Sequence, residues 1–317
     1  MFLTILFGLV GIVLVMLGAT GLTDGASAMA RKCGVPPIVV GLTVVAMGTS
    51  APELFVSLTS ALKGTSDIAV GNVVGSNIFN TLLIVGVAAM AAPMILSRST
   101  VKREVPVGLA ATVLLLFLAV DHNLSRFDAA VLFAAFVAFM AYTVRKALRE
   151  RKAGKEQEAD APLGPDDPMP WWQAAAYVVA GLGALVFGSD LFVDAAVDIA
   201  RALNVSDAVI GLTIVAGGTS LPELATSVVA ARKGQSEIAI GNVIGSNVFN
   251  ILMILGVTGL VRPMQLDGIT MVDFTVLTGG ALLLWIFAYT RFTIERWEGA
   301  VLTAIFAGYM GWLLWAV

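Results

Sequence analysis

Apolar runs of about 20 residues, separated by short polar turns, fill the chain from end to end. A run of this length crosses the ~30 Å hydrocarbon core of a bilayer as one helix. The turns carry Gly, Pro, Asn or Asp, which is typical of loops and helix ends. The pattern predicts an all-α polytopic membrane protein with ten spanning helices, at residues 2–29, 36–62, 68–91, 104–121, 126–146, 171–201, 206–232, 238–261, 269–289 and 294–316.

One segment interrupts the apolar pattern. Residues 145–170, RKALRERKAGKEQEADAPLGPDDPMP, are charged and rich in proline. Such a segment has too few apolar side chains to pack into a core, so it is expected to stay solvated. We therefore predict a linker at 147–170 that joins a first unit, 1–146, to a second unit, 171–317.

The two units share a 40-residue stretch. Residues 41–80 align with residues 211–250 without a gap, at a constant offset of 170, and 26 of the 40 aligned pairs are identical. Each unit holds five predicted helices, and an odd number makes the second unit cross the membrane in the opposite sense. The sequence therefore predicts two inverted five-helix repeats.

Composition and charge agree with a membrane protein and orient it. The chain is 58% hydrophobic and 13% charged, with a mean hydropathy of +0.91, which excludes an ordinary soluble protein. With the 147–170 linker in the cytoplasm and both termini outside, all but four of the 19 Lys and Arg residues lie on the cytoplasmic side; the four are Lys63, Arg126, Arg201 and Arg262. The positive-inside rule predicts this orientation, in the plasma (inner) membrane.

Each copy of the repeat places one acid inside an apolar helix. Glu53 follows Pro52, and Glu223 follows Pro222. An acid at membrane depth is costly and marks a functional site by default. Because proline has no N–H, carbonyls one turn earlier, near 46–49, should become available as oxygen ligands. A single proline or buried acid could be only structural, but the recurrence of both favours a function.

Further side-chain oxygens lie on the same helix faces. Ser50 is three residues before Glu53, and Ser76 and Asn80 are four residues apart on the next helix. Oxygen ligands without His or Cys are those of a hard cation such as calcium or sodium, and two carboxylates match one divalent ion in charge. The second copy is expected to supply the matching set from the other side, namely Thr219, Ser220, Glu223, Ser246 and Asn250.

The charge of this site suggests exchange. Without a divalent ion, the two carboxylates would repel each other in a medium of low dielectric constant. The emptied site should therefore take up sodium, or protons, in place of calcium. The residues alone leave the coupling ion open, and they leave magnesium and manganese open as substrates.

Other classes of function fit the sequence less well. A channel filter is usually a ring of groups from parallel subunits, whereas here single acids lie on inverted repeats. HExxH, a Cys/His cluster and a nucleophile–base pair are all missing from the sequence, so no enzymatic activity is expected. We expect no cofactor and no nucleic-acid partner; the lipid bilayer and the transported ions are the partners.

The segments GTS-x-PE and GNVxGSNxFN resemble the alpha repeats of the calcium/cation antiporter superfamily, and in particular sodium/calcium exchangers of the prokaryotic type. The resemblance implies that Glu53 and Glu223 are the principal calcium ligands and are shared with sodium. It also implies roles for ten further residues: oxygen ligation by Thr49, Ser50, Thr219 and Ser220, flanking sodium sites at Ser76 and Ser246, sodium-ligating carbonyls at Ala46 and Ala216, and a central lining by Asn80 and Asn250.

One position departs from part of that superfamily. Some exchangers, including the potassium-dependent branch, carry Asp at the position of Asn250. Asn in both copies argues against potassium dependence and leaves two negative charges in the site. Three sodium ions would then leave one net positive charge, and one calcium none. We therefore expect an electrogenic sodium/calcium antiporter that works by alternating access, with the glycine-bearing first and sixth helices as the moving elements.

Overall fold

The computed structural model of the protein describes residues 2–152, 169–203, 216–266 and 268–316. These ranges are almost wholly helical, with four strands of two residues each. Among them, seven helices are long and apolar enough to cross a membrane, or eight if a bent pair counts as one span. The prediction of a polytopic helical membrane protein is thus confirmed. The number ten stays a prediction, because the predicted helix 206–232 and most of the linker 147–170 lie partly outside the described residues.

Six helices occupy the described part of the first unit. They are α1 Phe2–Cys33, α2 Pro37–Thr49, α3 Ala51–Lys63, α4 Ser66–Ala91, α5 Val105–Leu118 and α6 Arg126–Lys152. Three wider π turns interrupt or precede them, at Gly41–Val45 in α2, Phe79–Ile84 in α4 and Thr100–Glu104 before α5. Such turns are rare and occur often at functional sites.

The described part of the second unit repeats this order. Its helices are α7 Trp171–Ala202, α8 Ala216–Gly218, α9 Leu221–Arg232, α10 Ser236–Val261, α11 Met271–Arg291 and α12 Arg296–Ala316. Helix α10 contains a π turn at Phe249–Ile254, which lies 170 residues after the one in α4. Helices α4 and α10 therefore share the same irregularity at equivalent positions.

Helix α6 ends later than the sequence suggested. It runs to Lys152, whereas the predicted helix ended at 146. Residues 146–152 are Lys, Ala, Leu, Arg and Glu, which all have high helix propensity, so polarity alone does not end the helix. Lys146 Nζ also lies 2.6 Å from Glu104 Oε1 and ties α6 to the start of α5.

Two short antiparallel strand pairs join loops of the two units. Strand β1, Met94–Ile95, pairs with β4, Thr293–Ile294; β2, Asn123–Leu124, pairs with β3, Met264–Gln265. Each pair joins loops that the predicted topology places on the same side of the membrane. The 170 offset relates β1 to β3 and β2 to β4, so the two pairs are equivalent. The sequence analysis did not foresee them.

Helices α4 and α10 form the centre of the molecule. In their most apolar windows, 72% and 94% of residues are buried. Helices α1 and α7 lie at the periphery and pack against each other through glycines. A Cβ atom on Gly18 would lie 2.7 Å from the carbonyl oxygen of Gly181, so only glycine allows this approach of the two backbones.

Candidate cation site

Both predicted acids lie in the first turn of a helix that follows a break in the chain. Ser50 has ψ 11°, outside helical geometry, and α3 turns away from α2 by 47°. Ser220 has ψ 8° at the equivalent position before α9. A proline two residues after each serine lacks the N–H that would continue the preceding helix. The side chains of Glu53 and Glu223 are fully buried just beyond these breaks.

The two acids are held by hydrogen bonds that cross between the units. Ser50 Oγ donates to Glu223 Oε1 at 2.8 Å, and Ser220 Oγ donates to Glu53 Oε1 at 3.1 Å. Ser246 Oγ lies 3.4 Å from Glu223 Oε1 and adds a contact from α10. The two copies of the repeat therefore build one shared site rather than two separate ones.

The two predicted threonines lie in the same network. Thr219 hydrogen-bonds to Glu53, and Thr49 contacts Glu223 in the corresponding way. Thr49 Oγ1 also lies 3.2 Å from Asn242 Oδ1. Both hydroxyl groups are thus next to the carboxylate of the opposite unit.

The predicted alanine carbonyls are less free than the proline suggested. Ala46 O accepts the Ser50 N–H at 3.0 Å, because the chain stays helical to Thr49 and breaks only at Ser50. Thr49 Oγ1 also lies 3.4 Å from Ala46 O, so both lone pairs of this carbonyl face a donor in this conformation. Ala216 occupies the equivalent place as the first residue of α8; its side chain lies outside the described part of the structure.

Five buried oxygens of the predicted ligands have no hydrogen-bond partner among the described residues. A buried polar atom without a partner costs about 1–3 kcal/mol, so a set of them calls for a ligand. Carboxylate, hydroxyl and amide oxygens are the ligands of hard cations. The five atoms are Glu53 Oε2, Glu223 Oε2, Ser76 Oγ, Asn80 Oδ1 and Asn250 Oδ1.

The site has few charged groups. The described residues contain no cluster of three or more His, Cys, Asp or Glu side chains that could hold a metal ion. The central positions contributed by α4 and α10 are the amides Asn80 and Asn250, which are 1% and 0% exposed. Two carboxylates therefore supply the negative charge, and neutral oxygens supply the rest of the donor set.

Two further asparagines, one from each copy of the repeat, brace the backbone next to the acids. Asn72 Nδ2 donates to the carbonyl oxygen of Glu53 at 3.2 Å and to Ser57 Oγ at 2.9 Å. These bonds tie α4 to the first turn of α3 and fix the direction of the acid. The second unit repeats them at an offset of 170, with Asn242 Nδ2 3.3 Å from Glu223 O and 3.0 Å from Ser227 Oγ.

Sequence reasoning missed Thr81. Asn80 Nδ2 donates to Asn247 Oδ1 at 3.1 Å, and Asn247 Nδ2 donates to Thr81 Oγ1 at 2.8 Å. Asn247 recurs in the first copy as Asn77. Thr81 occurs in one copy only, opposite Ile251, so the repeat gave no signal for it.

The site is closed to solvent in this conformation. Ser50, Ser220 and both acids have no exposed surface, and Ser76 is 3% exposed. A cation at this position would be occluded from both sides of the membrane. Release to either side then requires helices to move.

The chain is similar to known proteins over nearly its whole length. The profile of the family described as "Sodium/calcium exchanger protein" matches residues 3–145 and 173–315. The putative antiporter CaxA of Alkalimonas amylolytica is 40% identical over 98% of both chains. The sodium/calcium exchanger MaX1 of Methanosarcina acetivorans is 34% identical over 95% of this chain and 96% of its own. A solved structure of the sodium-calcium exchanger NCX_Mj matches 98% of both chains with a TM-score of 0.83 and 32% identity.

Proposed function

Because the chain belongs to the sodium/calcium exchanger family, which is a family of transporters and not of enzymes, we propose that it is a secondary antiporter exchanging sodium for calcium at the Glu53–Glu223 site. One observation carries the proposal above all others. Each carboxylate is held through one oxygen by a serine of the opposite unit, while its second oxygen is buried without a partner. The names of the relatives and of the matching structure support the choice of ions.

The ligand set follows from the free oxygens. Calcium binds between the second carboxylate oxygens of Glu53 and Glu223, with Asn80 Oδ1 and Asn250 Oδ1 lining the same centre. Sodium shares the carboxylates. The remaining oxygens complete the sodium and calcium shells, and they come from Ala46, Thr49, Ser50, Ser76, Ala216, Thr219, Ser220 and Ser246.

The burial of the two acids couples the transport of sodium to the transport of calcium. When no cation is bound, the site holds two negative charges with no exposure to water. An unpaired buried charge costs several kcal/mol, so the empty protein does not change conformation. The site moves only when it is loaded with sodium or with calcium, and exchange results. Helices α1 and α7, which pack on each other at the periphery, are the elements that move.

The charge count makes the exchange electrogenic. One calcium ion neutralises the two carboxylates, whereas three sodium ions leave one net positive charge. We expect a current when proteoliposomes with equal calcium on both sides are given a sodium gradient. When the calcium gradient is then varied, the reversal potential of this current should shift by the amount that three sodium ions per calcium ion requires. Exchange that is independent of the imposed membrane potential would contradict this ratio.

The architecture we propose is ten spans in two inverted five-helix repeats, with units 1–146 and 171–317. Hydrogen bonds related by the 170 offset, the two equivalent strand pairs and the family match in two ranges support it. The distribution of Lys and Arg favours an inner-membrane protein with a cytoplasmic linker at 147–170 and both termini outside.

A proton/calcium exchanger on the same fold is the alternative. It is favoured by the buried pair of acids, which could be neutralised by protons as well as by sodium. The two are separated by calcium uptake into proteoliposomes under either a sodium gradient or a pH gradient, with the other gradient removed by ionophores. Uptake that requires internal sodium supports the proposal. Uptake that follows the pH gradient and ignores sodium would replace sodium by protons as the coupling ion.

A further inference from the structure

A chain of three side chains joins α4 to α10 beside the central site. Asn80 Nδ2 donates to Asn247 Oδ1 at 3.1 Å, and Asn247 Nδ2 donates in turn to Thr81 Oγ1 at 2.8 Å. All three residues are buried, with exposures of 1%, 7% and 2% for Asn80, Asn247 and Thr81. Hydrogen bonds in such a buried position are strong and polarise one another, so each link constrains the next.

This chain determines which atom of Asn80 is free. Its nitrogen is occupied by Asn247, so its Oδ1 is left buried and without a partner. Both polar atoms of the Asn247 amide are used as well, one by Asn80 and one by Thr81. In this arrangement Thr81 Oγ1 accepts from Asn247, and Asn247 Oδ1 accepts from Asn80, so the two bonds run in one direction along the chain.

The second unit lacks the chain. Ile251 stands where the repeat would place the mate of Thr81 and has no hydroxyl group. Asn77, the mate of Asn247, donates instead to the carbonyl oxygen of Val73 at 2.6 Å. Asn250, the mate of Asn80, has both Nδ2 and Oδ1 unpartnered among the described residues. Asn80 and Asn250 occupy equivalent positions, but only Asn80 is hydrogen-bonded by another described residue.

We propose that Thr81 and Asn247 are positioning residues that keep Asn80 as a fixed oxygen ligand, while Asn250 is free to turn. The proposal rests on the proposed function, since it needs a cation in the site. A fixed amide always presents oxygen to the ion, and its orientation costs nothing at the moment of binding. Thr81 thereby raises cation affinity without touching the cation.

The test compares Thr81→Val with Thr81→Ser. Valine keeps the shape of threonine but leaves Asn247 Nδ2 without an acceptor, whereas serine keeps the acceptor and loses a methyl group. Loss of a residue that orients a metal ligand lowers metal affinity about 10–100-fold. We expect calcium and sodium Kd values of purified Thr81→Val, measured by calorimetry with the chloride salts, to rise about tenfold. Thr81→Ser should restore nearly the wild-type values.

Ile251→Val is the matched control, because it changes packing at the equivalent position without removing a hydrogen bond. Its Kd values should equal those of the wild type. Transport by Thr81→Val should show a raised half-saturating calcium concentration and a nearly unchanged maximal rate. Thr81→Ala removes the same hydroxyl with a smaller side chain and should behave alike, so the test does not depend on one variant folding.

Three results separate the possibilities. Wild-type Kd values in Thr81→Val or Thr81→Ala would overturn the positioning role while leaving the proposed function intact. An equal loss in Ile251→Val, or a Thr81→Ser that binds no better than Thr81→Val, would show that packing and not the hydroxyl matters, and would also overturn it. A wild-type protein that binds neither ion would instead overturn the proposed function.

Discussion

Each carboxylate of the site depends on a hydroxyl group from the other unit. Ser50 holds Glu223 and Ser220 holds Glu53, and their bonds of 2.8 and 3.1 Å are nearly equivalent. A substitution of either serine should therefore change the position of the glutamate in the other unit. The Oε2 atom of each glutamate can point at a cation only while the serine holds the Oε1 atom in place.

Ser50→Ala and Ser220→Ala should each weaken calcium binding by about tenfold or more, because each removes the partner that orients a ligand. Equilibrium binding of radioactive calcium to the purified variants measures the effect. Ser60→Ala on the same helix as Glu53 is the control, since Ser60 makes no hydrogen bond to either acid among the described residues. A loss in only one of the two serine variants would contradict a shared site.

At this scale the repeat made the site predictable. The same Glu, Ser and Asn recur at an offset of 170, and the structure hydrogen-bonds Ser50 and Ser220 to the buried acid of the opposite copy. Whether they bind ions stays a prediction. The carbonyl of Ala46 was expected to be free and instead accepts the Ser50 N–H, because proline marks a break only to within a turn. Thr81 has no repeated mate, so only three-dimensional contact could identify it.

At the scale of elements, the approach of α1 to α7 depends on glycine. A Cβ atom on Gly181 would lie 2.6 Å from the backbone nitrogen of Leu22. Gly181→Ala should force the helices apart, with a cost of about 1–3 kcal/mol from overpacking. We expect a lower midpoint of thermal unfolding and a large loss of transport.

Gly183→Ala is the matched control on the same helix, because no atom of the neighbouring described residues lies within 4 Å of an added Cβ there. Alanine is favoured over glycine in a helix by up to about 1 kcal/mol, so this variant should be as stable as the wild type or more so. If both variants behave alike, the close contact does not hold the two helices together.

An ion pair joins α1 to the far end of the helix that carries Glu223. Lys233 Nζ lies 2.5 Å from Asp24 Oδ1, which links the loop after α9 to α1. The equivalent residues at the other end of the molecule, Lys63 and Asp194, form no ion pair among the described residues. Alternating access predicts that the first pair opens when the second closes.

Crosslinking tests this movement. With Cys33→Ser as background, Asp24→Cys and Lys233→Cys joined by a short thiol crosslinker should stop transport, because α1 can no longer leave this position. The same pair left unjoined should transport. Asp194→Cys with Lys63→Cys is the matched pair and should also stop transport once joined. Full transport after complete crosslinking of either pair would exclude this movement.

Some elements could not be read from the sequence. Apolar runs predicted the long helices well, since burial in lipid dictates their length. Helix α6 continues into the charged segment because Leu, Glu, Arg and Lys all have high helix propensity. The strands β1 to β4 are two residues long and exist only because loops of the two units meet. The sequence of either loop alone does not predict such a pairing.

At the scale of the whole molecule, hydrogen bonds between the two units hold both buried acids. The predicted helical membrane protein and the predicted exchanger family are both confirmed, since the family profile matches both units and the NCX_Mj structure matches nearly the whole chain. The count of ten spans remains a prediction. The prediction of the site rested on the offset of 170, because this offset pairs the two buried acids and their neighbouring residues.

The central claim is that both acids bind the ions that are exchanged. Its most direct test is calcium uptake into sodium-loaded proteoliposomes by the wild type, Glu53→Gln and Glu223→Gln, with Asp121→Asn as an exposed acid control. We predict uptake by the wild type and the control that requires internal sodium, and none by either glutamine variant, because each keeps the shape of the site but removes one of its two charges. Sodium-driven calcium uptake that survives in both glutamine variants would contradict the assignment.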